Sequence, residues 1–346
     1  MASNKGVIFK AIPDSFPVIG EHMELVTREI DIKNFPLADG DILLKNQYLS
    51  LDPYLRGRMR DSQIESIADA FKLGKVLEGH GIGTVVKSNN RKYQVGDYYY
   101  GFIGWEEYTH VPADAVSGDE GLEKEISKSE LPKSYFLGLF GMPGFTAYIG
   151  LNKIGKAKKG ETIFISAASG AVGQVVGQIA KIKGLCVIGS AGDDSKIKYL
   201  VNELNFDGAF NYKTCNTDEE LTKLCPNGID IYFDNVGGET LDIALNHLKI
   251  NARVIACGMI SQYNTKNPYG VKNLMNVVTK RLLIQGFIVF DHYHEMEPFQ
   301  KEMREWLKQG KLKYKEDLVE GIQNAPNAFL NLLTGKNFGK AVVKIC

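Results

Sequence analysis

The segment Thr162-Ile163-Phe164-Ile165-Ser166-Ala167-Ala168-Ser169-Gly170-Ala171-Val172-Gly173-Gln174-Val175-Val176-Gly177 constrains this chain more than any other stretch. Its opening apolar run, rich in β-branched and aromatic residues, reads as a buried strand. The run breaks into small residues and then into an amphipathic helix extending to about Lys183. Gly170 suits the tight turn, Gly173 leaves the backbone bare for a pyrophosphate, and Gly177 permits close helix–strand packing. The first-turn amides and the positive end of the helix dipole would face the phosphates. A glycine triplet alone is weak evidence. The strand before it and the helix after it favour a dinucleotide site over a purely structural turn.

Strands are expected at 162–166, 185–190, 208–212, 229–234, 252–257 and 282–289, with helices at about 172–183, 194–204, 217–224 and 239–248. Such alternation requires crossover connections, hence an α/β fold built on a Rossmann doubly wound parallel sheet. The first 125 residues read differently. Short runs such as Asp41-Ile42-Leu43-Leu44-Lys45 and Gly83-Thr84-Val85-Val86, separated by Gly, Pro, Asn and Asp, suit a small, partly open β-barrel. The closing run Lys340-Ala341-Val342-Val343-Lys344-Ile345 would complete that barrel. At 346 residues the chain exceeds the usual single domain. The expected division is 1–125 with 311–346 for the barrel, and 126–310 for the dinucleotide-binding domain.

Basic and acidic residues number 41 each, so nothing in the charge points to nucleic acid or an anionic membrane as partner. The apolar run 282–290 is short and interrupted by Gln285, too little for a membrane span. The opening residues Met1 to Gly6 lack the apolar core of a signal peptide, and the expectation is a cytoplasmic protein. Cys186, Cys215, Cys225, Cys257 and Cys346 are scattered without a C-x-x-C pair, which reads as reduced thiols.

NAD-binding folds of this kind place an acid about 20 residues beyond the fingerprint, where it binds the ribose hydroxyls. Here that count lands on Gly192 or Asp193. Asp193 serves equally well as the N-cap of the following helix. Gly192 followed by Lys196 in the first helical turn suits a pocket for a 2′-phosphate, so NADPH is the expected cofactor; a lone lysine on a helix also fits a solvated surface.

Several blocks together resemble one family. They are Leu51-Asp52-Pro53-Tyr54-Leu55-Arg56-Gly57-Arg58-Met59, Gly141-Met142-Pro143-Gly144-Phe145-Thr146-Ala147-Tyr148 and the fingerprint Ala167 to Gly173. Phe210-Asn211-Tyr212-Lys213, Phe233-Asp234-Asn235-Val236-Gly237-Gly238, Cys257-Gly258-Met259-Ile260-Ser261-Gln262-Tyr263 and Asn337-Phe338-Gly339-Lys340 follow in order. The chain resembles the medium-chain dehydrogenase/reductases, in the zinc-free branch of leukotriene B4 12-hydroxydehydrogenase, prostaglandin reductase and plant 2-alkenal reductase. The resemblance implies a GroES-like barrel beside the Rossmann domain, NADPH or NADP⁺ as cofactor, and a homodimer formed through edge strands such as 282–289. It implies that Ala167, Ala168, Ser169, Gly170, Ala171, Val172 and Gly173 hold the pyrophosphate. Lys196 and Tyr212 would bind the 2′-phosphate beside Gly192, and Asn235 and Cys257 would lie along the adenosine and ribose. Phe287, Ile288, Val289 and Asn337 would border the nicotinamide, and Tyr54 and Tyr263 would face the reacting centre. Asn235 also fits a plain turn residue and Cys257 plain packing. Family relatives often carry tyrosine where this chain has His80, so selectivity cannot be transferred near that position.

Gly79-His80-Gly81 is similar to the Gly-His-Glu of zinc-dependent relatives, but glycine replaces the glutamate and Ser50 to Tyr54 contains no cysteine. A catalytic zinc needs three converging protein ligands. Asp291-His292-Tyr293-His294-Glu295 reads as a charged loop, and the expectation is no metal. The resemblance implies NADPH-dependent reduction of the carbon–carbon double bond in small α,β-unsaturated aldehydes and ketones. Quinone reduction and NADP-dependent oxidation of a hydroxylated eicosanoid-type lipid are the enzymatic alternatives, and a cofactor-binding protein without turnover is the non-enzymatic one.

Overall fold

A computed structural model describes residues 1–345; Cys346 lies outside the described residues. The chain forms two compact units, Met1–Gly138 with Glu316–Cys346, and Leu139–Lys315. Among the described residues the first unit begins with β1 (Ala2–Phe9), β2 (Met23–Ile30), β3 (Ile42–Ser50), β4 (Glu78–Ser88), β5 (Tyr98–Gly104) and β6 (Tyr108–Val111). The second unit supplies β7 (Thr162–Ile165), β8 (Cys186–Ala191), β9 (Gly208–Asn211), β10 (Ile229–Asp234), β11 (Leu248–Ala256) and β12 (Leu283–Gly286). The chain then returns to the first unit with β13 (Glu316–Glu320) and β14 (Lys340–Lys344).

In the first unit one sheet runs β13-β14-β3-β4-β5, with β6 pairing β3, beside the β1–β2 pair. The central strand β3 pairs antiparallel with β4, β6 and β14, so both ends of the chain's sequence contribute to one barrel-like wrap. Its core is aromatic: Trp105 meets Phe329 edge-on at 5.6 Å, and Phe9, Tyr99 and Val343 are fully buried around them.

In the second unit the strand order is β12-β11-β10-β7-β8-β9, every pair parallel. Ile163, Phe164 and Ile165 of β7 are buried because a parallel sheet is covered on both faces by its crossover helices. The order reverses direction between β7 and β10, the switch point at which such sheets open a crevice for ligands. The edge strand β12 is shorter than the expected 282–289: 287 and 288 leave the ladder and Val289 opens a 3₁₀ helix, Val289–Glu295.

The unit boundaries fall later than the expected 125/126 and 310/311. Helix Glu120–Lys128 belongs to the first unit, because the Glu123 carboxylate accepts the Tyr100 amide at 3.0 Å and the Tyr93 hydroxyl at 3.0 Å while Leu122 and Ile126 are buried. Residues 311–315 belong to the second unit. Gln178 and Gln174 of the helix after β7 accept the amides of Lys313 and Lys315 at 2.7 and 2.9 Å, and donate to the same two residues' carbonyls at 2.8 and 3.1 Å. Among the described residues no helix is long and apolar enough to cross a membrane.

Candidate active site

Each strand of the parallel sheet passes at its carboxyl end into residues singled out from the sequence. Ala167 to Gly173 follow β7, Gly192 follows β8 and Tyr212 follows β9. Asn235 follows β10, Cys257 follows β11, and Phe287, Ile288 and Val289 follow β12. Lys196 lies on the short helix Asp194–Lys198, and Tyr263 closes the 3₁₀ helix Ile260–Gln262. Tyr54 and Asn337 belong to the first unit; Asn337 turns its amide onto the Gly339 carbonyl at 2.8 Å.

The loop after β7 turns at Ala167, whose φ of 48° places an alanine in the left-handed region. The loop leads into helix Gly173–Ile182, which has no side-chain N-cap and no acid in its first turn. The Gln174 and Val175 amides donate to the Gly170 and Val172 carbonyls at 3.1 and 3.0 Å, so what this end offers an anion is the positive end of the helix dipole and a first turn without an acid. The next two long-range crossovers contrast with it: Asp193 caps helix Asp194–Lys198 and Asn216 caps helix Thr217–Leu224. Asp193 accepts the Ser195 amide at 2.8 Å and its hydroxyl at 2.5 Å, bonds that hold the carboxyl below its usual range. Of the two readings open for Asp193, the capping one is what the fold uses.

A Cβ at Gly192 would stand 3.0 Å from the Tyr212 hydroxyl and 2.9 Å from Cε of Lys213. The space that glycine leaves is therefore bordered by a phenol and a lysine stem. This is a cradle that a side chain would fill, and its donors suit a phosphate. Lys213 was not singled out from the sequence, although its position directly after Tyr212 was a usable signal.

A second omission is Asp234. Its Oδ1 accepts the Tyr232 hydroxyl at 2.7 Å and the amides of Val236 and Gly237 at 3.0 and 2.8 Å. Its Oδ2 is buried without a hydrogen-bond partner among the described residues, and burial pushes the carboxyl's pKa up. Asn235 in turn donates from its amide nitrogen to the Ser166 carbonyl at 2.8 Å and from its backbone to the Ser166 hydroxyl at 3.0 Å. These bonds tie the ends of β7 and β10 together at the switch point. An aspartate opening Asp-Asn-Val-Gly-Gly is a readable Asx-turn signal.

At the end of β11, the Cys257 amide donates to the Asp234 carbonyl at 2.9 Å, and burial pushes its thiol up to about 12, so it is protonated and unreactive at neutral pH. Tyr263 folds back over this turn, its oxygen accepting the Met259 amide at 3.1 Å. Burial raises the Tyr263 pKa while that amide opposes the rise. An oxygen already used as acceptor leaves its own hydrogen for a further acceptor.

In sequence, residues 5–118 match the N-terminal domain of oxidoreductase family and residues 171–308 match the zinc-binding dehydrogenase family. The NADP⁺-dependent 2-alkenal reductase of Nicotiana tabacum is 44% identical, with 99% of this chain and 98% of that protein covered. Prostaglandin reductase 1 of Bos taurus is 42% identical over 89% of this chain and 91% of that protein. In structure, CurA from Vibrio vulnificus, solved in complex with NADPH, superposes with a TM-score of 0.88 at 40% identity and 99% coverage of both chains. The chain belongs to the medium-chain dehydrogenase/reductases, in their 2-alkenal and prostaglandin reductase branch.

This medium-chain reductase differs locally from a zinc-type site. A Cβ at Gly81 would press on Ile103 and lie 2.7 Å from the Tyr48 carbonyl, so the β3–β4 backbone has no room for a glutamate there. Among the described residues no group of three or more His, Cys, Asp or Glu side chains is placed to hold a metal ion. His292 and His294 sit in the 3₁₀ helix after β12, where Glu295 pairs with Lys153 at 2.6 Å.

Proposed function

We propose that this reductase uses NADPH to reduce the carbon–carbon double bond of α,β-unsaturated aldehydes and ketones, without a metal. The observation that carries the reading is Tyr263, a hydroxyl whose oxygen is held by the Met259 amide at the carboxyl end of the sheet. The uncapped helix Gly173–Ile182 and the cradle at Gly192 make the same end of the sheet suited to a phosphorylated dinucleotide. Ala167 to Gly173 would hold the pyrophosphate, and Lys196 and Tyr212 the 2′-phosphate. Asn235 and Cys257 would line the adenosine and ribose, with Phe287, Ile288, Val289 and Asn337 toward the nicotinamide. When bound, NADPH supplies a hydride.

The protein's own task is to stabilise the charge that results. Addition at the β-carbon spreads negative charge onto the carbonyl oxygen as an enolate, and a phenol hydrogen aimed at that oxygen strengthens its bond as charge develops. Tyr263 and Tyr54 are assigned this donor role, and solvent supplies the proton to the α-carbon. Addition at the carbonyl carbon would instead leave a localised alkoxide, whose charge is not delocalised before the phenol meets it.

The test uses protein treated exhaustively with chelator and NADPH deuterated at its transferring position. Deuterium should appear on the β-carbon of an enal, with the aldehyde carbon unlabelled. Label on the aldehyde carbon, or loss of turnover on chelation, would refute the mechanism. Tyr263→Phe should lower kcat more than it raises KM.

We also infer a homodimer that joins copies at β12. Leu283 and Ile284 on this edge are 49% and 38% exposed, and an exposed apolar edge tends to pair. Sedimentation showing only monomer at micromolar concentration would remove this inference.

A further inference from the structure

Tyr54 and His80 are held from opposite sides. Tyr54 opens the short helix Tyr54–Arg58 directly after Asp52-Pro53, and Asp52 is fixed by Lys340, whose ammonium donates to its Oδ1 at 2.6 Å and to the Leu51 carbonyl at 2.9 Å. Ser50 donates to the other carboxylate oxygen. His80 lies in β4 opposite Phe102 of β5, and its ring packs on that phenyl with centroids 4.4 Å apart. Arg58, paired with Glu78, covers the Phe71 and Phe102 rings from above. Between these two anchored pieces, the Tyr54 hydroxyl stands 3.4 Å from Nδ1 of His80.

Removal from water holds the imidazole neutral at ordinary pH, its pKa pushed down to about 4; Asp52 opposes that shift, while Lys340 and Arg58 add to it. Burial also raises the Tyr54 pKa, so the phenol keeps its proton. A neutral imidazole carries one N–H, and the tautomer decides what the pair can do. With the hydrogen on Nε2, Tyr54 donates to Nδ1 and its hydroxyl hydrogen is spent inside the protein. With the hydrogen on Nδ1, His80 donates into the Tyr54 oxygen, and the phenol's hydrogen is directed to another acceptor.

We propose that His80 is a positioning residue that, as the Nδ1–H tautomer, donates to the Tyr54 hydroxyl and so aims the Tyr54 hydrogen at the substrate's carbonyl oxygen. This rests on the enone-reduction reading above. The anchoring by β4, β5 and the Asp52–Lys340 pair is what makes the contact specific, since neither ring can leave without disturbing its own support. A hydrogen bond between neutral groups, long in the resting enzyme, tightens when the substrate arrives.

The test is a double-mutant cycle on the full-length enzyme with a simple enal and NADPH. His80→Phe keeps a ring against Phe102 but removes the donor, and should lower kcat about threefold to tenfold with KM little changed, the size of one neutral hydrogen bond. His80→Asn, whose amide N–H reaches the place of Nδ1, should recover most of that loss. In a Tyr54→Phe background, His80→Phe should have no further effect. Equal losses from His80→Phe in both backgrounds would overturn the proposal, and so would an imidazole ¹⁵N spectrum with the hydrogen on Nε2. If the wild-type protein turns over no enal or enone, the enone reading fails separately. The spectrum then decides the pairing: an Nδ1–H signal that shifts in Tyr54→Phe supports it, and one that does not move removes it.

Discussion

Lys196→Ala should weaken NADPH binding about tenfold to hundredfold and leave NADH binding nearly unchanged, the scale of one charge-assisted hydrogen bond to a phosphate. Lys196 sits in the first turn of helix Asp194–Lys198 and is 7% exposed, unlike an ordinary solvated surface lysine. Gly192, two residues before that helix, leaves a space bordered by the Tyr212 hydroxyl and Lys213. Asp193, the residue that could have bound a 2′-hydroxyl and repelled a phosphate, is turned back to cap the helix. A 2′-phosphate carries the only charge that distinguishes the two cofactors, so the loss must be selective if Lys196 contacts it. Titration of protein fluorescence with each cofactor measures the two dissociation constants directly. Equal weakening of both, or a lowered melting temperature without ligand, would mean that this buried lysine supports the fold instead.

The second unit was more legible in the sequence than the first, for a physical reason. Parallel strands buried on both faces are uninterrupted apolar runs, and the crossovers between them carry caps and glycines at fixed offsets, so β7 to β11 are readable locally. Because the sheet is parallel, all carboxyl ends lie on one side, and finding the strands nearly sufficed to find the candidate site. Long-range pairings were not readable. The clasp of Gln174 and Gln178 on Lys315 and Lys313 spans separations of 141 and 135 residues, and it ties 311–315 to the second unit. The expected strand runs past β12 because 287–289 is as apolar as the residues before it. Within the fingerprint, the glycine pattern puts the turn on Gly170, yet the left-handed residue is Ala167. By spacing, Gly173 leaves the backbone bare for the pyrophosphate. A Cβ there would stand 2.5 Å from the Ala167 carbonyl and 2.7 Å from Cα of Ala168, so the turn's own backbone already excludes a side chain. Neither detail can be derived from spacing, because each depends on how the loop closes on itself.

Lys340→Ala should destabilise the first unit by about 3–5 kcal/mol, the usual consequence of removing one partner from a buried ion pair. Lys340 and Asp52 are 288 residues apart in sequence, and their side chains are 1% and 5% exposed. The ammonium also satisfies the Leu51 carbonyl, and the carboxylate's second oxygen is taken by Ser50. With the lysine gone, a carboxylate stays buried with only a hydroxyl to compensate it, and the carbonyl loses its donor. The pair's net contribution is a different quantity, because burying both charges is itself costly. Lys340→Met with Asp52→Leu should therefore recover most of the loss, since no charge is then left without a partner. Unfolding of a two-unit chain need not be two-state. Of the two tryptophans, Trp105 lies in the first unit and Trp306 in the second, so urea titration in a Trp306→Phe background follows the first unit alone. A loss under about 1 kcal/mol in Lys340→Ala, or a double variant no more stable than the single one, would show that the pair does not fasten β14 to the loop before Tyr54. If it does, the single variant should also lose turnover at temperatures where it remains folded, because the loop that Lys340 holds is the one that carries Tyr54.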